Sequence, residues 1–522
     1  MGTPLRSSRK CASSQDSGDN VTKVQVCVRL APPTVGAEPL HKLISQSQLF
    51  GEFPENSQAT AVLDTIYGQQ RIEVGPDGPQ HKNVSVSVGG RSFTLREDQV
   101  AALEIGEHRL PILAIQAAFG TGKTVLGALI AGRTFSKFQE RVIATTSTNT
   151  EVAQSTDTLL RLDEYRNIDI LRYVSDSVLI EGAPQTPIDL HTILKRLPVD
   201  YADKLSEEAL QTCRKYKRAV NYPKELHISD LTKDAVRIMF EVRPPAVVCI
   251  TTAALLNSIS ADGIFCGWFD SFTTLVGDEA SRIPDPALVA LATHLPRIRH
   301  IYIGHRRQLE PLARCPRSSN PARFGAQSVM NVLLERGVPV APPTTTFRAH
   351  PLLNELPNLV FYDHHLVNGT QAEERQLFLS SVRCPNPRLP FLFVDVPGKS
   401  TKSLSGSHSN SAEAEVCRQI VTSLLRKNVP PGSIAIIVFY KEQSRALAHF
   451  ASASSVDLHT VDSVQGREKD IHTVNDSDKV RPLAWRVPQR SAPSQRRIIK
   501  MPPWPICSFV LGHEKSLAGL SF

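Results

Sequence analysis

A chain of 522 residues exceeds what one hydrophobic core usually supports, so two or three domains are expected. With 41% hydrophobic and 21% charged residues the composition is that of a soluble globular protein, and the longest apolar runs, such as IAIIVF at 434–439, have strand length, which excludes a membrane-spanning helix. A formal net charge of +8 favours a polyanionic partner, while nine cysteines with no CxxC pair and no clustered histidines point away from zinc sites and disulfides, toward a reducing intracellular compartment, cytoplasmic or nuclear.

Residues 1–20 read as a disordered tail, with positive charge but no apolar stretch of a signal or anchor behind it. Residues 21–95 are predicted to form a β-rich accessory module, because VTKVQVCVRL and VSVSVGGRSFTL carry alternating or β-branched residues beside the turn signals GPDG and GG. From residue 96 the pattern changes to short apolar runs (PILAIQ, RVIATT, AVVCITT, TTLVGDE, RHIYIG) separated by helical stretches, which predicts a parallel sheet with helices on both faces. This first α/β domain is expected to reach residue 345, with a charged helical insertion at about 155–242. A second, shorter α/β domain is expected over 346–471, from the strand FLFVDV through the helix SAEAEVCRQIVTSLLRK to the strand IAIIVFY. Residues 472–522, rich in Pro, Arg and Ser, read as an atypical tail.

The strand PILAIQ runs straight into AAFGTGKTVLGALIAGR, where Gly120, Thr121, Gly122, Lys123 and Thr124 precede an apolar helix. Glycines let successive backbone N–H groups turn toward one point, and the helix N-terminus adds partial positive charge. Lys123 then reaches the β and γ phosphates of a nucleoside triphosphate, and the Thr124 hydroxyl falls on Mg²⁺. Ala117 stands where the motif asks for a fourth glycine, which matters only if the backbone there needs a positive φ. Further on, the strand TTLVG ends in Asp278 and Glu279, at the carboxyl edge where open α/β sheets bind ligands. That position suits Asp278 for holding Mg²⁺ and Glu279 for orienting and deprotonating an attacking water.

GTGKT, DEAS, IGHRRQLEP at 303–311, TFRAHP at 346–351 and VDSVQGREKD at 461–470 occur in the order and spacing of superfamily 1 helicases. The chain resembles that family over roughly residues 90–471, and within it the up-frameshift helicases of nonsense-mediated decay. The resemblance implies an α/β fold of two RecA-like P-loop domains, the second truncated. It implies a monomeric motor that uses ATP and Mg²⁺ and grips single-stranded RNA or DNA; that no zinc site and no membrane are expected follows instead from the cysteine pattern and the short apolar runs. Gln99 resembles the glutamine that reads adenine, and Gln308 the residue that senses γ-phosphate. Arg348 is similar to the arginine that reaches the γ-phosphate from the second domain, and Glu468, beside Gln465, to a nucleotide-contacting glutamate. The family has Asp where this chain has His305.

RVIATTSTNTEVAQ matches the family's motif Ia, so Ser147, Thr148 and Asn149 are expected to face the bound strand, with Thr251 and Thr252 as a second contact. Thr460, Asp462 and Ser463 make a third, from the second domain. Hydroxyls and amides suit phosphate and sugar contacts, although each of these residues taken singly is more often a strand-end cap. The block with a second arginine finger that follows QGREKD in the family is not recognisable in IHTVNDSDKVRPLAWRVPQR. The expectation is an ATP-dependent helicase or translocase on RNA or DNA, its ATP hydrolysis coupled to closure of the two domains but slowed by that loss. The alternative is an ATP-binding nucleic-acid clamp of weak or no hydrolysis, and the second domain is expected to lack sheet strands.

Overall fold

The computed structural model describes residues 57–68, 83–175, 178–179, 185–221, 228–313, 315–316, 318–461, 463–464, 469–475 and 508–512. The expected tail 1–20, most of 21–82, and Asp462, Gln465 and Glu468 lie outside them. In chain order the first part contains α1 (Gln58–Tyr67), β1 (Ser85–Val88), β2 (Arg91–Thr94), α2 (Glu97–Glu107), β3 (Ile112–Gln116), α3 (Lys123–Phe138), β4 (Arg141–Thr146), α4 (Asn149–Arg161) and β5 (Ile170–Arg172). Then come α5 (Leu190–Asp200), α6 (Glu207–Asn221), α7 (Ile228–Val242), β6 (Val247–Thr251), α8 (Thr252–Ile259), β7 (Phe272–Gly277), α9 (Asp285–His294), β8 (Arg299–Gly304), α10 (Val329–Glu335) and β9 (Val340–Ala341).

Seven of these strands form one sheet in the order β5-β6-β4-β7-β8-β3-β9, and every pairing in it is parallel. The strands are apolar on both sides because both faces are covered, as the unbroken apolar runs predict. Ile112 and Ala114 of β3 join one core with α1, α5, α9 and α10, while Leu113 and Ile115 join the other with α2, α3 and α4. That is the two-residue alternation of a strand expressed as two cores.

Two features of this part differ from expectation. The stretch expected to be a β-rich module has the hairpin β1–β2, but it also contributes α1, which Ser57 caps. Its Ala59, Val62 and Ile66 are fully buried in the first core. The stretch expected as a helical insertion does hold α5, α6 and α7. It also supplies the edge strand β5, tied to the segment before α5 by a buried ion pair of Arg172 with Asp189.

The second part begins with β10 (Thr345–Thr346), α11 (Pro351–Phe361) and β11 (Val367–Asn368), followed by β12 (Phe391–Asp395), β13 (Thr401–Lys402) and β14 (His408–Ser409). After them come α12 (Ser411–Arg426), β15 (Ile434–Val438), α13 (Lys441–Ala453), β16 (Asp457–Thr460), β17 (Ile471–Asn475) and β18 (Ser508–Gly512). A five-stranded sheet has the order β12-β18-β17-β15-β16, and again all pairings are parallel. The boundary expected at residue 471 falls inside this sheet. β17 crosses that boundary, and β18 comes from the stretch read as an atypical tail, inserting between β12 and β17. The apolar run SFVLG is only five residues long, and Pro- and Arg-rich surroundings obscure it in the sequence.

Candidate functional site

Because every strand of the seven-stranded sheet points the same way, the segments that follow β3, β4, β6, β7 and β8 emerge along one edge. β8 lies between β3 and β7. Its following loop therefore stands between the phosphate loop and the acidic pair.

The phosphate loop has the backbone that its glycines permit. Gly120 and Gly122 take φ of 70° and 83°, and Gly122 is the left-handed cap from which α3 starts at Lys123. Ala117 is not among the residues with positive φ; it is fully buried and its N–H donates to Gly304 O at 2.9 Å. The missing fourth glycine thus costs no backbone strain. Gln99 braces the loop from α2, its Nε2 donating to Thr121 O at 2.9 Å and its Oε1 accepting from Arg96 N at 2.9 Å. Both amide atoms of the expected adenine reader are engaged with the chain's own backbone in this state.

Asp278 is buried, and its Oδ1 accepts from Glu279 N at 2.8 Å. Burial, reinforced by the neighbouring Glu279 and opposed by Lys123, pushes its carboxyl up to about 7. A buried acid whose charge lacks compensation is a donor set suited to a cation, because a bound cation reverses that shift. Thr124 and Asp278 line one small cavity whose wall is otherwise largely apolar, from Ala128, Ala131, Leu159, Cys249 and Val276, so the cavity itself is not a cation site. The Thr124 hydroxyl and the Asp278 carboxyl are the oxygen donors that would suit a Mg²⁺ ion bound with a nucleotide.

Glu279 has φ 50° and ψ 41°, the left-handed region that costs a non-glycine residue about 1–2 kcal/mol. Such strain persists where the surroundings over-determine it. Gln308 is one of those surroundings: with its amide oriented to satisfy both neighbours, its oxygen accepts from Lys123 Nζ at 2.9 Å and its nitrogen donates to Glu279 Oε2 at 3.2 Å. Gln308 is itself only 3% exposed, so these bonds form away from competing water. One side chain thus joins the phosphate lysine to the carboxylate expected to act as base.

His305, where the family has aspartate, takes part in the turn itself. Its Nδ1 accepts from Arg307 N at 3.2 Å, closing the tight turn that leads to Gln308. That role needs a neutral ring, and burial, then Lys123, Arg307 and Arg306, hold its pKa down to about 3. The ring lies 5.0 Å from that of Tyr362, which in turn meets Phe119 of the phosphate loop edge-on at 5.8 Å.

Arg348 approaches from the second part of the chain. Phe347 N donates to Gly120 O at 2.9 Å, and an added Cβ on Gly120 would lie 2.4 Å from Arg348 Cβ. Asp98, which sequence reading passed over, fastens this approach. Its Oδ2 accepts from Thr344 N at 2.8 Å and from Thr345 N at 2.7 Å, tying α2 to the start of β10. An Asp at the second position of a helix offers no signal of so distant a partner.

The expected groove residues fall on neighbouring strand ends, since Thr146 pairs with Thr251. Several of their hydroxyls are already engaged. Thr148 caps α4 in a capping box with Glu151, and Thr251 caps α8. Thr252 Oγ1 lies 3.1 Å from Thr145 Oγ1 and donates to Thr146 O at 3.2 Å. Ser147 Oγ is buried with no hydrogen-bond partner among the described residues, and Asn149 is exposed. On the second sheet Thr460 Oγ1 lies 3.1 Å from Ser463 Oγ, at the end of β16.

The fold is α/β with two parallel sheets, and the site has the glycine turn, lysine and acidic strand end of a P-loop. Residues 326–475 match the family described as an AAA domain, AAA_12. The chain is 27% identical over 432 residues to a regulator of nonsense transcripts 1 homolog of Drosophila melanogaster, covering 80% of this chain and 34% of the relative. It is 26% identical to the ATP-dependent helicase NAM7 of Saccharomyces cerevisiae, covering 78% of this chain and 40% of that one. The 5'-3' DNA helicase ZGRF1 of Mus musculus is 27% identical over 71% of this chain and 20% of its own length. A solved arterivirus nonstructural protein 10 (helicase) with DNA aligns over 91% of this chain and 80% of that one, at 11% identity and a TM-score of 0.36. The chain thus spans well under half the length of these curated relatives. In sequence it is similar to proteins named as regulators of nonsense transcripts 1 and as ATP-dependent helicases.

Proposed function

We propose that this chain is an ATP-hydrolysing motor of helicase type that acts on RNA or DNA and couples hydrolysis to movement of its two α/β parts against each other. The observation that carries the reading is the Lys123–Gln308–Glu279 chain of hydrogen bonds. It unites three residues from three separate motifs, and a merely structural sheet edge has no use for a lysine and a carboxylate bridged by a buried amide.

On this reading the triphosphate lies on the N–H groups at the start of α3, with Lys123 at its β and γ phosphates. Thr124 and Asp278 hold Mg²⁺, which neutralises phosphate charge when bound. Glu279 takes a proton from the attacking water, while Gln308 fixes the carboxylate and reports the γ-phosphate through its bond to Lys123. Arg348 stabilises the charge that grows on the γ-phosphoryl group, a contribution of about 10³ to 10⁵ in rate in related chemistry. Ser147, Thr148, Asn149, Thr251 and Thr252 on the first sheet, and Thr460 and Ser463 on the second, face the strand. Several of their hydroxyls act as caps, and the N–H groups of Thr148, Thr460 and Ser463 are engaged as well. The exposed Asn149 and the Ser147 hydroxyl, which has no partner among the described residues, are the contacts left for phosphate.

The test is ATP turnover by the purified chain, with and without poly(U) or poly(dT), against Lys123→Ala. Polymer-stimulated turnover that Lys123→Ala abolishes is expected. Turnover that Lys123→Ala leaves intact, or that neither polymer stimulates, contradicts the proposal.

A further inference from the structure

Arg282 and Glu151 lie 131 positions apart in the chain, yet Arg282 Nη1 donates to Glu151 Oε1 at 2.9 Å. The carboxylate is 5% exposed and the guanidinium side chain 20% exposed, so the pair is screened little by solvent. Each partner belongs to a different loop of the site. The backbone N–H of Arg282 donates to Glu279 O at 2.9 Å, closing the turn that holds Glu279 at positive φ. Glu151 Oε2 accepts from Thr148 N at 3.0 Å, and Glu151 N donates to Thr148 Oγ1 at 3.3 Å, so the same carboxylate fixes the N-terminus of α4. One ion pair therefore clasps the turn of the expected base to the helix start that bears Ser147, Thr148 and Asn149. The two loops are already neighbours through Asp278 N donating to Thr145 O at 2.9 Å, but that bond joins the strand ends and not the turns beyond them.

We propose that Arg282 and Glu151 are positioning residues that transmit occupancy of the nucleic-acid groove to Glu279. The inference rests on the motor reading above. A strand seated on the N-terminus of α4 fixes Thr148 and with it Glu151; the ion pair then holds the Glu279 turn in its hydrolytic geometry. Neither residue is assigned a contact with the nucleotide or the attacking water, so their loss is read in the ratio of stimulated to unstimulated turnover rather than in ATP binding.

The experiment compares wild type with Arg282→Met, Glu151→Gln, the double variant and Arg282→Lys. ATP turnover and the KM for ATP are measured with no polymer and with saturating poly(U) or poly(dT). In each single variant the ratio of stimulated to unstimulated turnover falls about tenfold, the scale of one charge-assisted hydrogen bond. The KM for ATP without polymer stays within about twofold, since neither residue meets the nucleotide. The double variant is no worse than the single ones, and Arg282→Lys restores much of the ratio, because the two residues act as one unit. Glu151→Gln keeps the shape and the Thr148 acceptor, so it decides the matter should Arg282→Met fail to fold. Variants stimulated like wild type overturn the coupling role and leave the motor reading standing. A wild type that neither polymer stimulates overturns both.

Discussion

Gly120 is the point where the second part of the chain rests on the phosphate loop, and Gly120→Ala displaces that contact with a single methyl group. The added Cβ would lie 2.4 Å from Arg348 Cβ, 2.6 Å from Thr346 Oγ1 and 3.0 Å from Arg348 N. Carbon atoms in contact sit about 3.5–4 Å apart, so Arg348 must retreat by roughly 1 Å or more. The φ of 70° adds about 1–2 kcal/mol of backbone strain for alanine. A misplacement of about 1 Å in a group acting on the transition state costs on the order of 10²-fold in rate, or about 2.7 kcal/mol of barrier. The assay is steady-state ATP turnover with saturating polymer for Gly120→Ala, Arg348→Ala and the double variant. Since the methyl group acts by moving Arg348, the double variant should be about as slow as Arg348→Ala alone. Costs that simply add, or a Gly120→Ala enzyme within a few-fold of wild type, refute the argument.

Gln308→Leu removes both bonds of the bridge at similar volume; the expected loss in turnover is about 10²-fold, two charge-assisted hydrogen bonds' worth, read in single-turnover assays at saturating ATP. His305 is held neutral with a pKa near 3, below its unfolded value. As pH falls below about 6.5 the unfolded chain takes up a proton that the folded chain refuses, so stability drops, by about 2 kcal/mol at pH 5. His305→Asn keeps an acceptor for Arg307 N without titrating, so thermal melts at pH 7 and pH 5 should differ less for it than for wild type. Polymer affinity should fall steeply as salt rises from about 50 to 200 mM, because phosphate contacts release counterions, and fluorescence anisotropy reads this directly.

Much of the candidate site's geometry is legible in the sequence because its parts are local. The glycines, Lys123 and Thr124 sit in one turn, and Asp278 with Glu279 ends one strand; periodicity alone then places both on the same sheet edge. What the sequence conceals is set by distance along the chain or by competition for the same atom. Asp98 and Arg282 look like ordinary helix-start and turn residues until the fold brings Thr344 and Glu151 to them. Gln99, Thr148 and Thr251 are recognisable residues whose polar atoms the backbone claims for bracing and capping. His305 shows the reverse: nothing in its sequence context signals that a neutral imidazole nitrogen accepts from Arg307 N and closes the turn toward Gln308. The helix α1 and the strand β18 are hidden in stretches whose composition suggests something else, since five to ten residues of apolar pattern are outweighed by their surroundings.

The central claim is that Glu279 acts as the base beside a nucleotide that Lys123 holds, and Glu279→Gln measures it most directly. ATP affinity in Mg²⁺ and turnover are determined on the same preparation. Affinity within a few-fold of wild type, with turnover reduced by about 10² to 10⁴, is what a general base predicts. Affinity lost together with turnover, or turnover that survives the substitution, contradicts it.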